Sequence, residues 1–168
     1  MLCQYVSRIG FDENVLGGGP DALVLSAGIY NIPLFLRNHA APACPENIEQ
    51  IYVDIVNGAF GSDSSVYHGV SPVAGKYGAE NWPNGKLVVL AHSYDDELVE
   101  RAQRDVMCVT LDREGWSIVM EDGDEEADMG AGGRVLEVRD IEGKHDFGWR
   151  DGVQSAKLIA EVVERLTS

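Results

Sequence analysis

Apolar residues follow two rhythms along this chain. Four short stretches are continuously or alternately apolar: residues 21–27, 86–91, 116–120 and 134–138. Runs of this length between Gly, Pro and charged residues predict β-strands, and unbroken apolarity predicts burial on both faces, as in a parallel sheet. Three longer stretches repeat every three to four residues and predict helices. The first covers 45–56, with Ile48, Ile51, Tyr52, Ile55 and Val56 on one stripe. The second covers 97–114, with Val99, Ala102, Val106 and Val109 sharing a face. The third covers 151–166, with Val153, Ala156, Ile159 or Ala160, Val163 and Leu166 inward. Pro45 suits a first helical turn, and Gly58 and Gly115 supply stops. Leu2, Tyr5, Val6 and Ile9 predict a further helical piece that ends at Gly10.

Between these elements, 17–20 reads as a turn, 28–33 as a strand exit, and 34–44 as loop or short helix. Residues 58–85, rich in Gly, Ser and Pro, are long for a structureless loop and read as a functional cover or a short-helix excursion. The order strand, excursion over about 28–85, strand, helix, two strands, helix predicts an α/β fold. Its sheet is expected to be mostly parallel and flanked by helices, in one domain spanning 1–168.

Charge narrows the partners. The formal net charge is −15, and residues 121–128 alone hold six carboxylates. Such a surface repels phosphate backbones and anionic lipid, so neither nucleic acid nor membrane is an expected partner. The acidic run lacks the spacing of a calcium loop and reads as a solvated insertion over 121–133. No apolar run reaches the ~20 residues of a membrane span. The start has no signal-peptide pattern, and the cytoplasm is the expected compartment. Cys3, Cys44 and Cys108 form no CxxC pair, and the four histidines lack ligand spacing. Reduced thiols and no metal are expected.

Chemistry concentrates where apolar runs stop. Leu87-Val-Val-Leu-Ala-His-Ser-Tyr-Asp-Asp-Glu-Leu-Val99 ends in carboxylates, and Gly143-Lys-His-Asp146 follows the last strand. Parallel sheets place their sites outside the carboxyl ends of strands. An Asp there can fix the tautomer of a His that acts as general base. The competing reading makes Asp95 and Asp96 caps of the helix expected from Glu97, and makes His145 a surface loop residue. Both readings can hold together, with one Asp capping while the other faces the site. His92 and Ser93 are strand neighbours pointing to opposite faces and read as core or supporting residues. Ser62, Ser64 and Ser65 read as turn residues, Trp82 and Trp116 as packing, and Trp149 as a possible pocket wall. No Gly-x-Ser-x-Gly elbow occurs in the chain.

Ser26-Ala-Gly-Ile-Tyr-Asn-Ile32, Val70-Ser-Pro-Val73, Leu90-Ala-His-Ser-Tyr-Asp-Asp-Glu-Leu98 and Gly143-Lys-His-Asp146 together resemble the kynurenine formamidases (arylformamidases) of the α/β-hydrolase superfamily, fungal forms especially. The likeness runs from about Asp21 to the C-terminus. Tyr30-Asn31 stands where that family often has Tyr-Asp. The resemblance implies Asp96 as catalytic acid and His145 as general base, with no cofactor and no metal. It implies hydrolysis of N-formyl-kynurenine, an aromatic formamide, to kynurenine and formate in tryptophan catabolism.

The family's oxyanion segment and nucleophile elbow would lie upstream of Met1. The resemblance thus implies the C-terminal portion of an α/β-hydrolase fold, with N-terminal strands absent, inactive alone for want of a nucleophile. Loss of the oxyanion donors removes a further ~3–4 kcal/mol of transition-state stabilisation. Strand 21–27 would then present an open edge suited to self-association or a partner. Two alternatives stay open: a carboxylesterase-like fragment of the same superfamily acting on an ester, and a non-catalytic binding or assembly remnant.

Overall fold

A computed structural model describes residues 19–120, 133–146 and 150–167. Strands β1 (Ala22–Ser26), β2 (Leu87–Ser93), β3 (Ser117–Met120) and β4 (Val135–Ile141) form one sheet of order β1-β2-β4-β3. Every pairing is parallel, with Leu23 opposite Val88, Val88 opposite Leu136, and Ser93 opposite Ile141. Helices α1 (Ile32–Asn38), α2 (Glu46–Phe60) and α3 (Tyr67–Val70) fill the excursion between β1 and β2, with 3₁₀ turns at Ser64–Val66 and Pro72–Ala74. Helix α4 (Ala102–Arg113) follows β2, and α5 (Val153–Thr167) ends the described chain. The architecture is α/β, as the strand and helix rhythm predicts.

Alternation along the strands sorts the core into two layers. Val88, Leu90, Leu136 and Val138 meet Met107 and Leu111 of α4 together with Tyr30, Trp82 and Trp116. Leu87, Val89, Ala91 and Val135 meet Leu158 and Val162 of α5. The two helices therefore cover opposite faces, and all seven residues of β2 are buried between them. Each such side chain contributes ~1.5–3 kcal/mol by leaving water. A third cluster of Ile32, Phe35, Val56, Tyr67 and Val99 joins the cover helices to the segment after β2.

Helix phase is where the expectations fail. Helix α4 starts at Ala102, not Glu97, and buries Gln103, Arg104, Met107 and Leu111 while Val109 is exposed. Arg104 turns inward because its guanidinium meets Asp140 of β4 at 2.6 Å. In α5 the buried residues are Leu158 and Val162, and Val153, Ile159 and Val163 face out. Ion pairs set that rotation: Glu137 on β4 pairs with Arg165, and Arg139 with Glu161. These pairs also carry β4 three residues past Val138. In α2 only Val56 is buried, and Ile48, Ile51 and Ile55 are exposed.

The exit of β1 is built with little slack. Ala27 adopts φ +47, and a Cβ on Gly28 would lie 2.7 Å from the Tyr30 ring folded over it. Only glycine allows that approach. Asn31 then caps α1 by accepting from Leu34 N at 3.0 Å. Gln103, fully buried, accepts from Tyr30 N at 3.0 Å and Asn31 N at 2.8 Å, and donates to Asn31 O and Glu100 Oε1. Gln103→Leu strands two backbone donors, each costing ~1–3 kcal/mol. A loss of about 3 kcal/mol in urea unfolding is expected, and a change below ~1 kcal/mol would show that the clamp is dispensable.

At the opposite end of the sheet, Arg134 lies 4.2 Å over the Trp116 ring. It donates to the carbonyls of Tyr77, Trp82 and Gly85. Trp116 Nε1 donates to Tyr77 O at 3.0 Å, and the two tryptophan rings stand 5.1 Å apart. Burial holds the Arg134 guanidinium below the usual arginine range.

Candidate active site

Adjacent strands deliver the two groups singled out above. β2 ends at Ser93 directly opposite Ile141, the last residue of β4, so the segments that follow start side by side. After β2 the chain folds on itself. Ser93 Oγ accepts from Asp95 N at 3.0 Å, and Asp96 Oδ1 accepts from Leu98 N and Val99 N at 3.0 and 2.9 Å. After β4 the chain turns at Gly143, with φ +98, and presents His145. His145 Nδ1 lies 2.9 Å from Asp96 Oδ2 and 3.1 Å from Oδ1. The backbone N–H of His145 donates to Glu97 Oε2 at 3.2 Å, which ties the loop to the segment after β2.

The environments of the two partners differ. The Asp96 side chain is 1% exposed and that of His145 19%. A dry carboxylate accepts strongly because no water competes. With Nδ1–H donated to Asp96, the imidazole takes up protons at Nε2. Asp96 thus combines the capping and pairing roles, although the backbone it caps is a turn and not the start of α4. Asp95 is exposed. The Glu97 carboxyl is held below its usual range, first by its own backbone N–H and then by that of His145.

The cover helices bring further groups to this end of the sheet. Phe35, His39 and Tyr52 form an aromatic trio, with ring centroids 4.4 to 5.1 Å apart. Asn38 Nδ2 donates to Glu100 at 3.0 Å, and His39 Nδ1 lies 3.7 Å from Glu100 Oε2. Burial raises the Tyr52 phenol, and negative charge at Cys44, Glu100, Asp96 and Glu97 raises it further. Sequence reading missed His39, Tyr52 and Gln103 as neighbours of the acid segment. They lie on other elements, and only the fold joins them.

His92 is 2% exposed, and burial pushes its imidazole below the usual histidine range. It is therefore neutral in the folded chain. An unfolded histidine binds a proton near pH 6.5, so its stabilising contribution is present above that pH and lost as pH falls through it. Urea midpoints are expected to drop between pH 7.5 and pH 5.5, at up to ~1.4 kcal/mol per pH unit from this group. His92→Gln should flatten that decline.

The other candidates have structural roles or lie elsewhere. Ser65 N and Oγ both bond to Asp63, an exposed turn. Trp82 and Trp116 pack in the core, as expected. Residues 1–10, Cys3, the acidic stretch 121–132 and Trp149 lie outside the described residues. Cys44 and Cys108 are free and half-buried. Among the described residues no cluster of His, Cys, Asp or Glu is suited to a metal ion, and no helix is long and apolar enough to cross a membrane. A cavity of about 300 Å³ runs along Leu23 and Leu25 of β1 beneath Val70–Tyr77, and neither Asp96 nor His145 lines it.

Over 164 residues the chain is 30% identical to a kynurenine formamidase-like hydrolase, fscH, of Fusarium equiseti. The match covers 97% of this chain and 48% of that protein, so the chain spans about half the length of the curated relative it matches. No family model and no solved structure matches the chain. The similarity supports a relationship to a hydrolase.

Proposed function

We propose that this chain carries the acid and the general base of a serine-type α/β-hydrolase of the kynurenine formamidase kind. Asp96 orients His145, and His145 Nε2 takes the proton of the attacking hydroxyl and later returns it to the leaving nitrogen. The observation that carries this reading is the 2.9 Å contact between His145 Nδ1 and the buried Asp96 carboxylate. The substrate class follows from the relative's name, and the aromatic trio of the cover helices is compatible with an aromatic formamide such as N-formyl-kynurenine.

The attacking serine comes from outside this sequence, which has no Gly-x-Ser-x-Gly elbow. The open side of β1 is where the complementary part adds. β1 reads Ala-Leu-Val-Leu, apolar toward both faces, yet it pairs with β2 alone among the described strands. Strands apolar on both faces belong inside parallel sheets, and such an edge accepts another strand.

The test is formate release from an aromatic formamide by this chain alone and mixed with the part of the Fusarium equiseti relative that it does not match. Hydrolysis only in the mixture is expected. Turnover by the chain alone would remove the need for an added serine, and no turnover in either would overturn the reading.

A further inference from the structure

The chain that leaves β4 carries His145, and both helical layers hold it where it starts. From α4, Arg104 meets Asp140 at 2.6 Å. From the first turn of α5, Gln154 bonds to the backbone of Glu142 in both directions. Its Oε1 accepts from Glu142 N at 3.1 Å, and its Nε2 donates to Glu142 O at 3.2 Å. Glu142 is the first residue beyond β4, whose last pairing sets Ile141 opposite Ser93. An antiparallel strand neighbour takes the N–H and the C=O of one residue in the same way. A glutamine amide offers one acceptor and one donor side by side, so it stands in for such a neighbour where the ladder to β2 has ended. Apolar packing does not account for the contact, because the first buried residue of α5 is Leu158, a turn beyond Gln154.

His145 follows two residues after Glu142. Gly143 turns the chain at φ +98, and the His145 N–H donates to Glu97 Oε2 at 3.2 Å. The ring then meets Asp96 at 2.9 Å. Asp96 cannot follow a displaced ring, because Leu98 N and Val99 N hold its Oδ1 at 3.0 and 2.9 Å. The direction in which the chain leaves the sheet at Glu142 therefore decides whether imidazole and carboxylate touch.

We propose that Gln154 is a positioning residue for His145. By holding both backbone groups of Glu142 it fixes the exit from β4 and keeps Nδ1 within reach of Asp96. This rests on the reading of the Asp96–His145 pair given above.

The readout is the far-downfield Nδ1–H resonance of His145 in the full chain labelled with ¹⁵N-histidine, assigned by its loss in His145→Gln. Gln154→Met keeps the length of the side chain and removes both hydrogen bonds. Gln154→Asn keeps the amide and withdraws it by one methylene. The resonance is expected to be lost in both, while far-UV circular dichroism shows the fold intact. It is expected to persist in Lys157→Met, an exposed position on the same helix. Persistence in a folded Gln154→Met chain overturns the proposal, because a merely structural Gln154 would change the urea midpoint and leave the resonance in place. If Gln154→Met fails to fold, Gln154→Asn decides, and persistence there overturns the proposal. Loss in Lys157→Met also overturns it, since any change on α5 would then suffice. A wild-type spectrum without the resonance removes the pair itself, a failure distinct from the loss of the role of Gln154 alone.

Discussion

Asp96→Asn is expected to lower formamide hydrolysis by the complemented chain ~10⁴-fold, about 5.5 kcal/mol of barrier, the scale seen when a histidine-orienting carboxylate becomes an amide. The Asn carbonyl can still accept from Leu98 N and Val99 N, as Asp96 Oδ1 does now. Its amide N–H would face His145 Nδ1, where the carboxylate now stands at 2.9 Å. Two donors cannot share that contact, so the ring flips tautomer and Nε2 carries the proton it should accept. The urea midpoint should move little, because the capped turn survives. Steady-state rates on the mixed polypeptides check this. A rate within tenfold of the parent would mean that the His145 tautomer is not set by Asp96.

Trp116→Ala is expected to cost about 4 kcal/mol of unfolding free energy, a large share of the ~5–15 kcal/mol that a domain has in total. Trp116 is 1% exposed and packs between Trp82 and the α4 side of the sheet. Its removal leaves a cavity, frees the Tyr77 carbonyl of one donor, and strips the ring from beneath the Arg134 guanidinium. Arg134 would then keep its carbonyl partners without the aromatic face that offsets its burial. Urea denaturation followed by far-UV circular dichroism measures the loss, and a cost under ~1 kcal/mol would show that the cluster does not hold this end of the sheet.

The strands were legible because parallel β-structure needs continuous apolar runs, and β2 is buried along its whole length. The order of elements followed from those runs and from the helical periods between them. Helix rotation was not legible. In α4 the inward face starts with Gln103 and Arg104, residues that a hydrophobicity rule sends outward. They turn in because Gln103 answers backbone donors 72 and 73 residues away and Arg104 answers Asp140. In α5 the rotation was off by one position because charges on β4, invisible to an apolar count, pull Arg165 and Glu161 toward the sheet. The juxtaposition of Asp96 and His145 could be read because each follows directly on an apolar run.

The strands are made in one order and sit in another. β4 is the last of the four in the chain, yet it lies between β2 and β3. Until it is synthesised, β2 lacks its inner neighbour and a gap separates it from β3. Asp96 leaves the ribosome 49 residues ahead of His145, and the two meet only when β4 fills that gap. The growing polypeptide thus holds the Asp96 carboxylate without its imidazole partner until the strand between β2 and β3 is in place.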